Sequence, residues 1–217
     1  GFEKIRATGI KAISLDDDDP DNYLEQAQAY LALERYEDAV NSIVKCVEKN
    51  EEALAALIAA DAIGFDTESK PTFLKGEVST GPHLVQLATD SKAYLFPVAP
   101  RYDTRALKAV LESPKVLKIG FGLGNDHSVL KSRLDIAASN VLDLGEVLRG
   151  PGHRGTVGAK VAVAHFFGQK LQKSKKIGTS NWSNAHLSER QLLYAANDAH
   201  VALMLYRAWL RTQPPVG

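Results

Sequence analysis

The sequence predicts an α/β domain, with a mixed five-stranded sheet flanked by helices, preceded by an N-terminal helical segment. Two observations predict it. Short apolar runs of the length and composition of strands begin near residue 63. From about residue 116 strand-like and helix-like segments alternate, as they do when strands pair in parallel. A chain of 217 residues is long enough for one large domain with a small appendage.

Composition excludes some classes of protein and leaves others open. Apolar residues make up 45% and charged residues 24%, which is ordinary for a globular protein with a core. Basic and acidic residues both number 26, so net charge does not indicate a nucleic-acid partner, although charge distribution still can. The single Cys46 excludes an intrachain disulfide. No apolar run reaches the ~18 residues of a membrane span, so we expect an intracellular protein, cytoplasmic or nuclear, without a membrane partner.

The first 60 residues are predicted to form a helical appendage. From about 21 to 50, apolar residues recur at three- and four-residue spacing, with a break in the middle. Residues 26–50 resemble one tetratricopeptide repeat, and a single repeat cannot bury its own apolar faces. We therefore expect a helical hairpin packed on the main domain, with a surface for a protein partner. An alanine-rich helix at 51–60 leads into the main domain at 61–213.

The main domain is predicted element by element. The apolar run Ile63–Glu68 is the first strand, and a polar loop with Pro and Gly follows it. The further strands are 83–88, 93–96, 116–119 and 141–142, and the helices are 104–111, 126–134, about 143–149, 156–167 and 188–211.

The first strand ends in two carboxylates one residue apart. Side chains alternate between the faces of a strand, so Asp66 and Glu68 point the same way, roughly 7 Å apart. Carboxylate oxygens are the ligands that hard cations prefer, and the pair is a candidate metal site. The alternative is a strand that ends at a solvated acidic turn.

Two further acidic positions follow. Gly120-Phe-Gly-Leu-Gly-Asn-Asp126 is a strand-to-helix turn without the G-x-G-x-x-G spacing of dinucleotide sites, and Asp126 is a helix cap or a ligand. Tyr194 and Asp198, four residues apart, share one face of a helix. An aspartate among apolar helical residues needs a reason, either a hydrogen bond to the tyrosine or a role as a metal ligand.

In this order the motifs D-x-E, N-D and Y-x-x-x-D resemble the DEDDy branch of the DEDD 3′–5′ exonucleases, which includes RNase D and the Werner-syndrome-type exonuclease domain. The resemblance covers about 61–210 and extends to the segments 168–176, 180–183 and 187–191. It implies an RNase H-like fold for 61–213. It also implies hydrolysis of phosphodiester bonds from nucleic-acid 3′ ends with two divalent ions, Mg²⁺ or Mn²⁺. Ser69 stands where the family often has an aromatic residue. His127 and Ser128 follow Asp126 where the Werner type carries an aromatic residue.

The resemblance also implies a set of site residues. Four carboxylates would hold the metals, with Asp66 bridging them, and Tyr194 would orient the attacking water. The predicted metal ligands are Asp66, Glu68, Asp126 and Asp198. Thr67 and Leu123 fall where the family contacts the terminal nucleotide of a DNA or RNA strand.

The basic segment after residue 168 and a nearby tryptophan are candidate substrate contacts. Lys170 and Lys173 are predicted to follow phosphates, with a solvated basic loop as the alternative. Trp182 is predicted to stack on a base or, alternatively, to be a packed aromatic residue. An inactive nuclease fold that binds nucleic acid or serves as a scaffold remains the alternative to an active enzyme.

Overall fold

The computed structural model describes residues 11–12, 51–74, 76–98, 104–150, 155–184 and 186–214. The predicted tetratricopeptide-like hairpin lies outside these residues. The hairpin and the division into 1–60 and 61–213 therefore stay predictions. Among the described residues, no helix combines the length and the apolarity that a membrane crossing needs.

The described strands form one mixed sheet. Its strands are β1 (Lys11–Ala12), β2 (Ala62–Glu68), β3 (Leu84–Ala88), β4 (Lys92–Pro97), β5 (Leu117–Gly120) and β6 (Val141–Asp143). Their spatial order is β1-β4-β3-β2-β5-β6. Strands β2, β3 and β4 pair antiparallel, whereas β5 pairs parallel with both β2 and β6. The five predicted strands are confirmed, and the two-residue β1 adds an edge strand parallel to β4.

Seven helices lie within the described residues. They are α1 (Glu51–Ala59), α2 (Arg105–Leu111), α3 (Asp126–Leu134), α4 (Leu144–Val147), α5 (Ala159–Phe167), α6 (Lys175–Gly178) and α7 (Glu189–Leu210). The longest, α7, starts with a capping box in which Ser188 and Gln191 each satisfy a backbone N–H of the other. The helices predicted from residue 51 onward are present, and the short α6 had no counterpart in the sequence prediction.

The two faces of the sheet pack against different helices. On one face, Phe65 and Leu87 belong to a core that includes Leu57 of α1 and Leu107 of α2. On the other face, α7 packs through small residues, because Ala195, Ala196 and Ala199 lie against Leu84, Ala88 and Leu95. Small side chains let the helix approach the strands closely.

Gly64 determines how close that approach is. A Cβ atom built on Gly64 would lie 1.8 Å from the carbonyl oxygen of Ala199, a distance that no side chain can occupy. The backbone of α7 therefore rests directly on β2. Because Asp198 precedes Ala199 and Asp66 follows Gly64 by two residues, this contact brings the two acids together.

Candidate metal centre

Three of the four predicted ligands converge at the end of β2. Asp66, Glu68 and Asp198 each offer a carboxylate oxygen, and these oxygens lie within 4.8 Å of one another. The alternation of β2 points Asp66 and Glu68 to the face that α7 covers, and the third acid comes from α7 itself. The cluster thus depends on the contact between one strand and one helix.

Asp126 stands beside this group and belongs to the first turn of α3. Its Oδ1 accepts a hydrogen bond from the hydroxyl of Thr67, which lies between the two acids of β2. The glycine turn before it is fixed by Asp143, whose Oδ2 accepts a hydrogen bond from the Leu123 N–H at 2.9 Å. Gly122 in this turn has a φ of 71°, which favours glycine. Asp126 lies outside the three-residue group but adds to its negative potential.

Burial and mutual repulsion raise the pKa values of the cluster. Burial, followed by the charge of Asp198, raises the pKa of Asp66 to about 8. Burial, followed by the charge of Asp66, raises the pKa of Glu68 to about 9. The pKa values of Asp126 and Asp198 are also raised, chiefly by burial. Full ionisation at neutral pH therefore requires positive charge from elsewhere.

Lys173 supplies one positive charge. Its Nζ lies 2.8 Å from Oδ2 of Asp198 and 5.5 Å from the centroid of the Tyr194 ring. Burial opposes its ionisation, but the charges of Asp198, Asp66 and Glu68 leave its pKa raised. The ammonium in turn lowers the pKa values of the carboxylates it faces.

Tyr194 projects from α7 one turn before Asp198, close enough for each group to affect the pKa of the other. Burial, followed by the charge of Asp198, raises the pKa of Tyr194 above its ordinary value, so the phenol stays protonated and acts as a donor. Gly178 leaves the room that the phenol needs, because a Cβ there would lie 2.7 Å from the Tyr194 hydroxyl.

The predicted substrate contacts fall into two groups. Lys170 is exposed, and Lys173 and Thr67 are in the site. Leu123 and Trp182 are only 2% and 1% exposed, so their side chains have almost no surface for a nucleotide, and these two predicted contacts are not supported.

The environment of Trp182 agrees with the packed-aromatic alternative. The indole N–H donates to the carbonyl of Gly178 at 3.2 Å, and the indole ring lies 6.1 Å from the ring of Tyr194. The tryptophan therefore supports the tyrosine from behind.

One polar residue beside the site had no role in the sequence prediction. Gln86 of β3 pairs with Asp66 in the antiparallel register and is fully buried. Within the described residues, neither its Nε2 nor its Oε1 has a hydrogen-bond partner. The signal in the sequence was a glutamine inside the apolar run 84–88, but only the register shows that it lies opposite Asp66.

The donor set fits a divalent cation. All the converging atoms are carboxylate oxygens, which suit Mg²⁺ and Mn²⁺ better than Zn²⁺. The acids lie close together and have raised pKa values, so a bound cation would strongly stabilise their ionised form.

Comparison with known proteins identifies the family. A family model described as 3′–5′ exonuclease matches residues 41–211, which is most of the chain. The chain belongs to the 3′–5′ exonuclease family. Among its exonuclease relatives, the mouse bifunctional 3′–5′ exonuclease/ATP-dependent helicase WRN is 32% identical over 164 residues. This match covers 75% of the chain and 12% of the mouse protein, so the chain spans a small part of that relative.

Solved structures of the same kind confirm the fold. The Aedes aegypti Nibbler EXO domain has a TM-score of 0.59 at 29% identity and covers 72% of this chain and 81% of its own. A Trypanosoma brucei RNase D complex with RNA U12 has a TM-score of 0.65 at 23% identity. The match covers 76% of this chain and 60% of the RNase D chain, and it shows similarity of fold alone. The RNase H-like exonuclease fold implied by the three motifs is confirmed.

Proposed function

We propose that this chain is an active exonuclease that hydrolyses phosphodiester bonds from the 3′ end of a nucleic acid and releases nucleoside monophosphates. The observation that supports this most is the group of Asp66, Glu68 and Asp198, whose oxygens lie within 4.8 Å of one another. Holding these acids together is unfavourable by itself, as their raised pKa values indicate. Family membership supports the same reaction.

The carboxylates are proposed to hold two divalent ions, Mg²⁺ or Mn²⁺. Such a pair, when bound, makes the attacking water more acidic and stabilises charge on the leaving oxygen. Asp66, Glu68 and Asp198 would hold these ions. Asp126 would complete the set from α3, oriented by the hydroxyl of Thr67.

Tyr194 is proposed to position the attacking water. A phenol with a raised pKa is a poor general base at neutral pH, but its O–H is a well-placed donor. Asp198 lies one turn along α7 from the phenol, and Gly178 and Trp182 pack against its ring.

The substrate is proposed to be the 3′ end of a DNA or RNA strand. The exposed Lys170 is proposed to contact phosphates at the rim of the site, where such contacts give salt-dependent affinity. The RNA bound to the Trypanosoma brucei RNase D makes RNA a substrate to test first for this chain.

The test is an incubation with 5′-labelled RNA, single-stranded DNA and recessed duplex DNA, each with Mg²⁺, Mn²⁺ or EDTA. We expect a ladder that shortens from the 3′ end with metal and none with EDTA or in Asp66→Asn. Asp135→Asn is the matched control, because Asp135 is an exposed acid at the far end of α3 and should leave the ladder unchanged.

Two results would contradict this function. A full ladder in Asp66→Asn would show that the acids of β2 are not the site. Retained nucleic-acid binding without a ladder in any metal would favour the alternative, an inactive nuclease fold that binds or scaffolds.

A further inference from the structure

Lys173 contacts the same carboxylate that is proposed to bind metal. Its Nζ lies 2.8 Å from Oδ2 of Asp198, whose side chain is 7% exposed, whereas the lysine side chain is 32% exposed. The lysine belongs to the segment between α5 and α6, and the aspartate belongs to α7. The ion pair therefore joins the buried centre of the site to a segment at its rim.

The ammonium is also a positive charge that acts on all three converging carboxylates. It favours ionisation of Asp66 and Glu68 as well as of Asp198, which it contacts directly. In addition, it lies 5.5 Å above the ring of Tyr194. A cation that neutralises several acids and contacts an aromatic face is held in place by the site itself.

Divalent cations and this ammonium compete for the same negative groups. Divalent ions held by Asp198 would bring further positive charge to the carboxylate that Lys173 Nζ contacts at 2.8 Å. Like charges on one carboxylate repel strongly when they are partly buried. Because about a third of the lysine side chain is exposed, the ammonium has a path to solvent.

We propose that Lys173 is a positioning residue that acts as the resident counter-ion of the site. It holds the carboxylates together before metal arrives and leaves Asp198 when a divalent ion binds. This inference rests on the proposed metal site and deepens it, because it makes metal entry an exchange of one cation for another.

The exchange predicts opposite effects on metal affinity and on stability. Lys173→Met keeps the length of the side chain and removes its charge. We expect this variant to bind Mn²⁺ roughly tenfold more tightly than wild type, since metal no longer displaces an ammonium. In EDTA it should have a lower Tm, and metal should restore more of that Tm than it does in wild type.

Titration calorimetry with Mn²⁺ and thermal unfolding with and without EDTA measure both effects. Lys170→Met is the matched control, because Lys170 is exposed on the same segment, and it should leave both quantities unchanged. Lys173→Arg keeps the charge and should bind metal no more tightly than wild type. Equal or weaker Mn²⁺ binding by Lys173→Met would overturn the proposal.

A direct measurement follows the lysine ammonium by NMR in wild type during titration with Mg²⁺, which is diamagnetic. The signal of Lys173 is identified by its loss in Lys173→Arg. We expect this signal to shift or exchange away as Mg²⁺ saturates the site. An unchanged signal at saturating Mg²⁺ would overturn the displacement while leaving the metal site intact.

No binding of metal by wild type or by Lys173→Met would instead overturn the proposed metal site itself. The NMR measurement uses only wild type and Lys173→Arg, so it tests the proposal even if Lys173→Met does not fold.

Discussion

Two neighbouring residue pairs of the β2–β3 ladder have opposite environments. Phe65 pairs with Leu87, and both side chains are buried in the apolar core on the α1 and α2 side. The next pair along is Asp66 with Gln86, on the side that α7 covers. Here the aspartate has a pKa of about 8, and the amide of the glutamine has no partner within the described residues.

The difference shows where stability and function reside. Burying an apolar pair stabilises the fold, whereas burying a carboxylate or an unpartnered amide costs free energy. Burial on the apolar face of β2 thus stabilises the fold, and burial on the other face, where the carboxylates converge, offsets part of that stabilisation. Active sites are commonly less stable than the scaffold that holds them. Substitutions on the two faces should therefore have effects of different kinds.

The largest expected effect comes from the acidic face. Asp66→Asn removes a charge and a ligand from the centre of the cluster while keeping its shape. We expect a loss of nuclease activity on the order of 10⁴-fold, which is about 5 kcal/mol of barrier. The fold should persist, because a neutral amide is easier to bury than a carboxylate. Initial rates with Mg²⁺ measure the activity, and circular dichroism measures the fold. An unfolded variant would show that the charge of Asp66 is needed for folding, against the difference drawn between the two faces.

The apolar face should respond in the opposite way. Phe65→Ala removes a fully buried ring next to Asp66, and we expect it to lower the free energy of unfolding by about 3–5 kcal/mol. The carboxylates face the other side, so the remaining folded molecules should keep most of their activity. Urea unfolding together with rates per folded molecule would test this. A loss of activity without a loss of stability would show that the faces are not independent.

The pH dependence of stability should also separate the faces. The pKa values of Asp66 and Glu68 are raised above those of the unfolded chain, so the folded state binds these protons more tightly. Their stabilising contribution to the free energy of unfolding is full below about pH 4. It is lost as the pH rises towards 8 and 9, the pKa values of Asp66 and Glu68 in the folded state. In EDTA, we expect wild type to match Asp66→Asn near pH 4 and to be less stable by about 5 kcal/mol at pH 9, since about four units separate the folded and unfolded pKa values of Asp66.

The comparison with Asp66→Asn is needed because other groups titrate in the same range. His200 and Lys118 have pKa values lowered by burial, and they contribute slopes of the opposite sign in both proteins. The difference between wild type and variant removes them. A difference that stays constant from pH 5 to pH 9 would mean that the pKa of Asp66 is not raised. Mg²⁺ should reduce the difference, since binding favours the ionised form.

The sequence was sufficient to predict most of this arrangement. Strand alternation put Asp66 and Glu68 on one face, and helical spacing put Tyr194 beside Asp198, because both periods are local properties of the chain. That these pairs come together had to be taken from a family resemblance. The physical cause of their convergence, Gly64 against the backbone of Ala199, is a contact between residues 135 positions apart, and no local pattern reveals it.

Side-chain environments were harder to predict than elements. Trp182 follows a basic segment, as a stacking residue would, yet the chain folds it beneath Tyr194. Lys173 was expected on a phosphate and lies on Asp198, because nothing in the spacing tells a rim lysine from a lysine inside the site. Gln86 was part of a strand in the prediction, but its register opposite Asp66 depends on how β2 and β3 pair.

Gln86 provides the smallest and most discriminating test of the two faces. A buried amide without partners costs stability, so Gln86→Met, which keeps length and removes the polar atoms, should raise the free energy of unfolding in EDTA by about 1–2 kcal/mol. Gln191→Met is the matched control: this glutamine is also buried, but its amide bonds to Ser188 and Ser180, so the same change should lower stability. Urea unfolding of both variants gives the two signs. If both substitutions destabilise the protein equally, then Gln86 is fully hydrogen-bonded in solution, and the cost of the acidic face lies in its carboxylates alone.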